Sequence, residues 1–104
     1  MVKHLEDEKL FDEEISKGTV VVDFYADWCG PCRMLAPVLE DVAKELVDIT
    51  ILKVNVDQTK TISARFSIRS IPTVMLFKDG KHVATNTGFV PKPALMKFIK
   101  QNQV

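Results

Sequence analysis

Apolar residues fall into two kinds of pattern along the chain, short runs typical of strands and longer runs with helical spacing. Two of the short runs, TVVVDFYA (19–26) and ITILKVNVD (49–57), are rich in β-branched residues and apolar on both alternating faces. Strands of this kind are buried on both sides, as in a parallel sheet with helices above and below it. Two further strands meet at Asp79-Gly80, a dipeptide that favours a hairpin. The predicted strands are 2–4, 19–26, 49–57, 73–77 and 82–87.

Helical spacing of the apolar residues predicts four helices around these strands. The second helix has the most regular spacing and extends from near Cys32 to about Leu46. It should kink at Pro37, because proline removes a backbone donor and crowds the preceding turn. The first helix is expected to have Leu10, Phe11 and Ile15 on one apolar side and to end at Gly18. The predicted helices are 5–18, 32–46, 59–68 and 91–101.

The order of these elements is helix, strand, helix, strand, helix, strand, strand, helix, with a short strand at the start. Alternating elements followed by a hairpin predict an α/β fold, in which a central mixed sheet of four to five strands is flanked by about four helices. The chain has 104 residues, 46% of them hydrophobic and 27% charged, as in ordinary globular proteins. Because this length suits one domain and no linker interrupts it, residues 1–104 are predicted to form a single domain.

The charge balance argues against several classes of protein. Fourteen basic and 14 acidic residues give a formal net charge of zero, whereas nucleic-acid and membrane-surface binders need a basic excess or patch. The N-terminus lacks the apolar stretch after a basic start that a secretory signal requires, and no apolar run approaches the roughly 18 residues of a membrane span. We therefore expect a cytoplasmic protein whose thiols are mostly reduced.

The chain has two cysteines, Cys29 and Cys32, and only Gly30 and Pro31 separate them. They lie where the predicted strand 19–26 gives way to a helix. The nucleophile of disulfide exchange is the thiolate, and the unpaired N–H groups and dipole of a helix N-terminus stabilise one there. Cys29 is nearer that terminus, and Cys32 is one turn further in. Cys29 is therefore predicted to attack a target disulfide, and Cys32 to resolve the mixed disulfide that results.

Other interpretations of the two cysteines are weaker. A structural disulfide across four residues would close a short loop and add little stability. A zinc site needs about four ligands, and His4 and His82 are isolated from the cysteines and from each other, so no metal is expected. Chance proximity is the last alternative. A CxxC pair near a βαβ pattern in a cytosolic protein is instead the signature of redox chemistry.

At these residues the chain resembles the thioredoxin family. WCGPC (28–32) is the active-site motif of that family in full, and the similarity covers essentially all 104 residues. Further matches are VVDFYADWCGPCRMLAPVLEDVA (21–43), KVNVD (53–57), IRSIPT (68–73), LFKDG (76–80) and Gly88.

The resemblance implies an enzyme with the thioredoxin fold, a general protein-disulfide reductase that exchanges electrons through the Cys29–Cys32 dithiol and its reversible disulfide. It implies no bound cofactor. A dedicated thioredoxin reductase would recharge the dithiol with electrons that originate in NADPH, and disulfide-containing proteins would be the clients. We expect a monomer that contributes to cell redox homeostasis.

Asp23 is an acid inside an apolar run, on the same strand face as Val21 and Tyr25. Without water there, its pKa should be raised. It is either a hydrogen-bonded structural acid or the general base that accepts the proton of Cys32, and the resemblance supports the second role. The match at KVNVD implies that Lys53 approaches Asp23 and favours its ionised form. We expect Asp23→Asn to slow turnover more than it weakens folding.

The resemblance also assigns a binding surface to the cysteine end of the fold. It implies that the peptide bond before Pro72 is cis, that Pro72 faces the cysteines, and that a client pairs with the backbone of Ile71. Tyr25 stands where many members have Trp, and Thr87 and Phe89 flank Gly88 where smaller or more apolar residues are frequent, so the last two bear on target preference. The implied apolar target groove consists of Trp28, Gly30, Pro31, Val56, Ile71, Pro72 and Gly88.

Two other functions compete with a reductase. A disulfide oxidant or isomerase would transfer electrons in the opposite direction, but relatives of that type usually have a different dipeptide from Gly30-Pro31. A redox-independent scaffold subunit would use the fold alone to support a partner. A double variant, Cys29→Ser with Cys32→Ser, separates the scaffold from the two dithiol functions, because only a scaffold retains its function without the thiols.

Overall fold

A computed structural model describes residues 1–103 and contains one five-stranded mixed sheet. This agrees with the predicted four to five strands; Val104, the last residue of the predicted domain, lies outside the described residues. The sheet order is β1-β3-β2-β4-β5. The strands are β1 (Val2–His4), β2 (Thr19–Tyr25), β3 (Ile49–Asn55), β4 (Thr73–Lys78) and β5 (Lys81–Thr87).

The helices pack on both faces of this sheet, as central strands with apolar residues on both faces require. A 3₁₀ turn at Glu8–Leu10 leads directly into the first helix, and the other three follow β2, β3 and β5 along the chain. The helices are α1 (Phe11–Glu14), α2 (Gly30–Glu45), α3 (Lys60–Arg65) and α4 (Lys92–Asn102).

The middle of the sheet is parallel and its second half antiparallel. β3 pairs in parallel with β1 and β2, whereas β4 is antiparallel to β2 and β5. This register places Asp23 opposite Lys53 on one side and opposite Val74 on the other. The carboxyl ends of β2 and β3 meet at Tyr25 and Asn55, so the residues that follow these two strands gather at one edge of the sheet.

Each face of the sheet has its own apolar core. On one face, aromatic rings dominate: Phe66 lies 5.6 Å from Phe11 and 5.7 Å from Phe77, measured between ring centroids. On the other face, α2 and α4 pack their apolar stripes against β2, β3 and β4. The buried helix residues of this second core are Leu35, Leu39, Val42, Leu95 and Ile99. These contacts hold α2 in place along its length, so the position of its first turn is fixed as well.

The predicted hairpin between β4 and β5 is present. Asp79 has φ 48° and Gly80 has φ 87°, the positive values that a two-residue hairpin turn matching the sheet twist requires. The Asp79 carboxylate also accepts a hydrogen bond from the Gly18 N–H at 2.8 Å, and the Asp79 N–H donates to the Gly18 carbonyl at 2.9 Å. Further along the hairpin, the register shifts between Leu76 and Phe77.

The helix predicted over 5–18 was wrong in length. Helical structure begins after Asp7, whose side chain accepts a hydrogen bond from the Lys9 N–H, and it ends at Glu14. Leu10 is 44% exposed rather than buried. Gly18, with φ 71°, does not end the helix but turns the chain toward the β4–β5 hairpin.

The second helix differs from its prediction at the start. α2 begins at Gly30, two residues before Cys32, and stays helical through Pro37 to Glu45. Pro31 favours this early start, because its fixed φ and missing N–H suit the first turn of a helix. The kink at Pro37 stays a prediction. The third helix is shorter than predicted, at Lys60–Arg65.

The second core predicts that substitutions at two residues of α2 have different effects on the free energy of unfolding. Leu39 is fully buried, whereas Met34 is 60% exposed on the same helix. Leu39→Ala should lower the free energy of unfolding by about 2–5 kcal/mol, because it removes buried apolar surface and leaves a cavity. Met34→Ala, the control, should change it by less than about 0.5 kcal/mol. Urea unfolding of both oxidised variants measures the difference, and equal losses would contradict this description of the core.

Candidate active site

The two cysteines lie where β2 passes into α2. Cys29 is the N-cap residue of α2, with φ −89° and ψ 114°, and its Sγ accepts a hydrogen bond from the Cys32 N–H at 3.2 Å. The two sulfurs form a disulfide. Cys29 is 5% exposed and Cys32 is 2% exposed, so the second is the more shielded, as predicted.

The first turn of α2 provides a positive environment for Cys29. Its N–H groups have no intrahelical acceptors, and the helix dipole adds partial positive charge at this end. No acidic residue lies in that turn to offset it. A Cys29 thiolate formed on reduction is therefore stabilised where the Cys32 N–H already points at its sulfur.

Asp23 is fully buried behind the cysteines, in the centre of β2. Among residues 1–103, neither of its carboxylate oxygens has a hydrogen-bond partner. Burial raises the pKa of Asp23 from 3.8 to about 6, and the positive charge of Lys53 opposes part of that rise. The Lys53 Nζ lies 4.0 Å from Asp23 Oδ2, and the Lys53 side chain is only 13% exposed. The structure thus brings Asp23 and Lys53 together, as the resemblance to the family implies.

A small cavity opens between Cys32 and Lys53, the lysine that faces Asp23. Its volume is about 210 Å³, enough for several water molecules at about 30 Å³ each. Both Cys32 and Lys53 line it, so one space connects the shielded cysteine with the cation next to Asp23. The lining residues are Tyr25, Ala26, Asp27, Cys32, Arg33, Ala36 and Lys53.

The segment before β4 approaches the disulfide from the other side. The Ile71–Pro72 peptide bond is cis, as the resemblance implies. The Ile71 carbonyl oxygen lies 3.7 Å from Cys29 Sγ. The Gly88 N–H donates a hydrogen bond to the Pro72 carbonyl at 2.8 Å. Ile71 therefore lies beside Cys29, and Val56 packs against the cysteine cluster from the end of β3.

Apolar surface is exposed around this end of the molecule. Trp28 is 68% exposed, and its Nε1–H donates a hydrogen bond to the Asp57 carboxylate at 2.9 Å. Phe89 is also exposed, beyond Thr87 and Gly88 at the end of β5. Gly30 and Pro31 form the first turn of α2 between the cysteines. Each predicted groove residue thus lies at the cysteine end of the sheet.

Several polar residues at the cysteine end of the sheet were not predicted from the sequence to belong to the site. Asp27 accepts a hydrogen bond from the Asn55 amide at 3.5 Å through its carboxylate, and one from Arg33 at 3.0 Å through its carbonyl. Asp57 holds Trp28, and Tyr25 contacts Lys53. Their positions along the chain could have indicated that they belong to the site, because all of them lie at or just beyond the carboxyl ends of β2 and β3 or in the first turns of α2.

Two further features of the described residues concern metal binding and membrane insertion. Within residues 1–103, no three histidine, cysteine, aspartate or glutamate side chains come together as metal ligands would. Over the same range, no helix has both the length and the apolar character needed to cross a bilayer.

Comparisons with known proteins agree on one family. A family model described as Thioredoxin matches residues 1–101. Thioredoxin of Chlamydia trachomatis serovar D is 48% identical over 93 residues, which are 89% of this chain and 91% of that protein. Thioredoxin of Mycoplasmoides gallisepticum is 47% identical over 100 residues, 95% of this chain and 100% of that protein.

Solved structures give the same result for the fold. A mutant thioredoxin from Halobacterium salinarum superposes with a TM-score of 0.91 at 34% identity, and the match covers 99% of this chain and 91% of that one. The five-stranded mixed sheet with its four helices is therefore the thioredoxin fold. Since the similarity also includes the redox-active cysteine pair, the protein is a protein-disulfide oxidoreductase, and the chain belongs to the thioredoxin family.

Proposed function

We propose that this protein is a general reductant of disulfides in other proteins, and that a thioredoxin reductase recharges it with electrons that originate in NADPH. The observation that carries the proposal is the Cys29–Cys32 disulfide at the N-terminus of α2, with the Ile71 carbonyl 3.7 Å from Cys29 Sγ. One sulfur lies where a client backbone can reach it, and the other is shielded behind it.

In the first step, the Cys29 thiolate attacks one sulfur of a client disulfide. A bond forms between Cys29 Sγ and that sulfur, and the second client sulfur leaves as a thiolate that takes up a proton from water. The helix N-terminus supports this step because it lowers the free energy of the attacking thiolate. The product is a mixed disulfide between client and protein.

In the second step, Cys32 resolves the mixed disulfide. Cys32 loses its proton and attacks Cys29 Sγ, so the Cys29–Cys32 disulfide forms and the client sulfur leaves as a second thiolate. The client has gained the two electrons that the protein has lost; the proton of Cys32 stays with its acceptor, and the second client thiolate takes up a proton from water. The reductase then returns the protein to the dithiol state.

Asp23 is the proton acceptor for Cys32, and Lys53 tunes it. An acid whose pKa lies at about 6 is ionised at neutral pH, yet its affinity for a proton is well above that of an ordinary carboxylate. Water in the cavity lined by Cys32 and Lys53 carries the proton from the thiol toward the carboxylate that Lys53 faces. Lys53 keeps the buried Asp23 ionised often enough to act as a base.

Clients bind across the groove at the cysteine end. The backbone of Ile71 pairs with an extended client segment, as an added strand would, and Cys29 Sγ lies next to that backbone. Thr87 and Phe89 adjust which clients fit. The apolar contacts come from Trp28, Gly30, Pro31, Val56, Pro72 and Gly88.

The protein works as a cytoplasmic monomer, with residues 1–104 as one domain and no bound cofactor or metal. Its partners are thioredoxin reductase and disulfide-containing proteins, not nucleic acids or membranes. The equal numbers of basic and acidic residues support this choice of partners. Together these activities contribute to cell redox homeostasis.

The reduction potential of the Cys29–Cys32 pair tests the direction of electron transfer. Equilibration against glutathione or a dithiol buffer should give a value near about −270 mV, the value known for thioredoxins. A value near about −120 mV, typical of strong disulfide oxidants, would instead assign the protein to the oxidant class and reverse the proposed electron flow.

The rate of client reduction tests Asp23 as the base. Asp23→Asn removes the proton acceptor, so reduction of a protein disulfide by the reduced protein at pH 7 should slow by about 10-fold. This is below the usual effect of a general base, because Cys32 can still lose its proton to water. The defect should shrink at pH 9. Equal rates for the variant and the original protein at pH 7 would exclude the role.

The pH dependence of the free energy of unfolding tests whether the pKa of Asp23 is raised in the folded protein. Its pKa is higher in the folded protein than in the unfolded chain, so the folded state binds the proton more tightly. The resulting stabilisation is fully present below about pH 3.8 and is lost as the pH rises through about 6. At pH 8 the buried charge costs on the order of 3 kcal/mol.

Asp23→Asn should therefore raise the free energy of unfolding by a few kcal/mol at pH 8 and much less at pH 4. Urea unfolding at both pH values measures this, with Asp41→Asn as the control because Asp41 is exposed on α2. A gain in stability that is the same at both pH values would show that Asp23 does not titrate in this range.

A further inference from the structure

Tyr25 lies at the last position of β2, two residues after Asp23 on the same face of the strand. Its side chain is partly buried and borders the cavity next to Cys32. The Lys53 Nζ lies over the Tyr25 ring, 4.4 Å from its centroid. At this distance the negative face of an aromatic ring attracts a cation.

Lys53 also faces Asp23, but less closely than a hydrogen bond requires. Its Nζ is 4.0 Å from Asp23 Oδ2, beyond the 2.7–3.2 Å range of N–H···O hydrogen bonds. The lysine side chain is long and flexible, and it borders a cavity that water can enter. The ion pair alone therefore fixes the position of the ammonium weakly, and the ring is the second group that holds it.

We propose that Tyr25 is a positioning residue, whose ring keeps the Lys53 ammonium beside Asp23 and thereby sets how strongly Lys53 favours the ionised carboxylate. This inference rests on the proposed role of Asp23 as the base for Cys32. In that role Tyr25 acts through Lys53 and takes no part in the bond changes at the sulfurs.

The physical reason is the distance dependence of the charge interaction. Attraction between Lys53 and Asp23 weakens as their separation grows, and it weakens further when water lies between them. A lysine without the ring would extend into the cavity and be hydrated there. Asp23 would then keep the full effect of burial with less of the opposing positive charge, and its affinity for protons would rise.

The other charged and titratable groups near Asp23 do not replace this contact. Val74 lies opposite Asp23 on β4 and is apolar, and Cys32 of α2 lines the cavity that Tyr25 and Lys53 also line. Asp27 and Arg33 line the outer part of the cavity. Lys53 on β3 is thus the cation that the structure places against Asp23.

The ring also stays neutral in the working pH range. Burial and the charge of Asp27 raise the pKa of Tyr25 above its usual value of 10.0, although a hydrogen bond from Asn55 opposes them. A neutral phenol keeps the contact with Lys53 a cation–π interaction at neutral pH.

A double-mutant cycle on Tyr25 and Lys53 tests the proposal, with the pKa of Asp23 as the readout. The pKa is measured by carbon NMR of the labelled carboxyl group in the oxidised protein, so no turnover is involved. The four proteins are the original chain, Tyr25→Leu, Lys53→Met and the double variant. The cycle subtracts any change in hydration that the smaller side chain causes by itself.

Tyr25→Leu should raise the pKa of Asp23 by about half a unit more when Lys53 is present than in the Lys53→Met background. This difference is about a threefold change in the dissociation constant. The same change in both backgrounds would overturn the proposal, because Tyr25 would then act without Lys53.

Aromatic replacements supply the matched control. Tyr25→Phe and Tyr25→Trp keep a ring face toward Lys53 and should leave the pKa of Asp23 within about 0.2 units of the original. If Tyr25→Leu folds poorly, Tyr25→Met repeats the cycle with a non-aromatic side chain closer in size. A shift with Tyr25→Phe as large as with Tyr25→Leu would assign the effect to the hydroxyl group and overturn the role of the ring.

The outcome separates this inference from the proposed function. A coupling between Tyr25 and Lys53 in the titration, together with normal turnover of Asp23→Asn, would support the positioning contact and remove the general base. No coupling, with slow turnover of Asp23→Asn, would keep the base and remove the positioning role.

Discussion

β2 is buried on both faces and hydrogen-bonded on both edges, and every part of the active site depends on that constraint. It pairs with β3 in parallel and with β4 in the antiparallel direction over nearly its whole length. A strand held in this way cannot shift its register without turning its apolar face toward water. It therefore fixes Asp23 inside the sheet, Tyr25 at its end, and Cys29 four residues later at the start of α2.

The burial of Asp23 inside β2 lowers the stability of the fold, and the proposed proton transfer gives a reason to keep an acid there. A carboxylate with no hydrogen-bond donor in the described chain is among the least favourable groups to bury. An asparagine or an apolar residue at position 23 would suit the fold better. Keeping an acid there makes sense when the site needs a base whose affinity for protons is higher than that of an exposed aspartate. The positive charge of Lys53 limits the cost without removing it.

The sequence predicted what depends on local pattern and left out what depends on contacts between distant segments. Continuous apolar runs identified β2 and β3, and Asp79-Gly80 identified the hairpin, because each signal lies within a few residues. The early end of the first helix was not predictable in this way: Gly18 turns the chain to meet Asp79, 61 residues further on. The contact of Tyr25 with Lys53 likewise requires the register of two strands that are separated by all of α2. The cis bond before Pro72 and the approach of Lys53 to Asp23 were predictable only because a family pattern supplied the long-range information.

The edge of the sheet at β5 has a consequence for association between copies of the molecule. β5 has no neighbour on its outer side, so its unpaired backbone groups face solvent, and an open edge of this kind can recruit other strands and begin aggregation. Lys81 at its start and the shift of register opposite Leu76 and Phe77 interrupt that edge. Charge and irregularity both discourage strand addition. The long outer strand therefore resists pairing with another copy of the molecule, although its backbone groups are open to one.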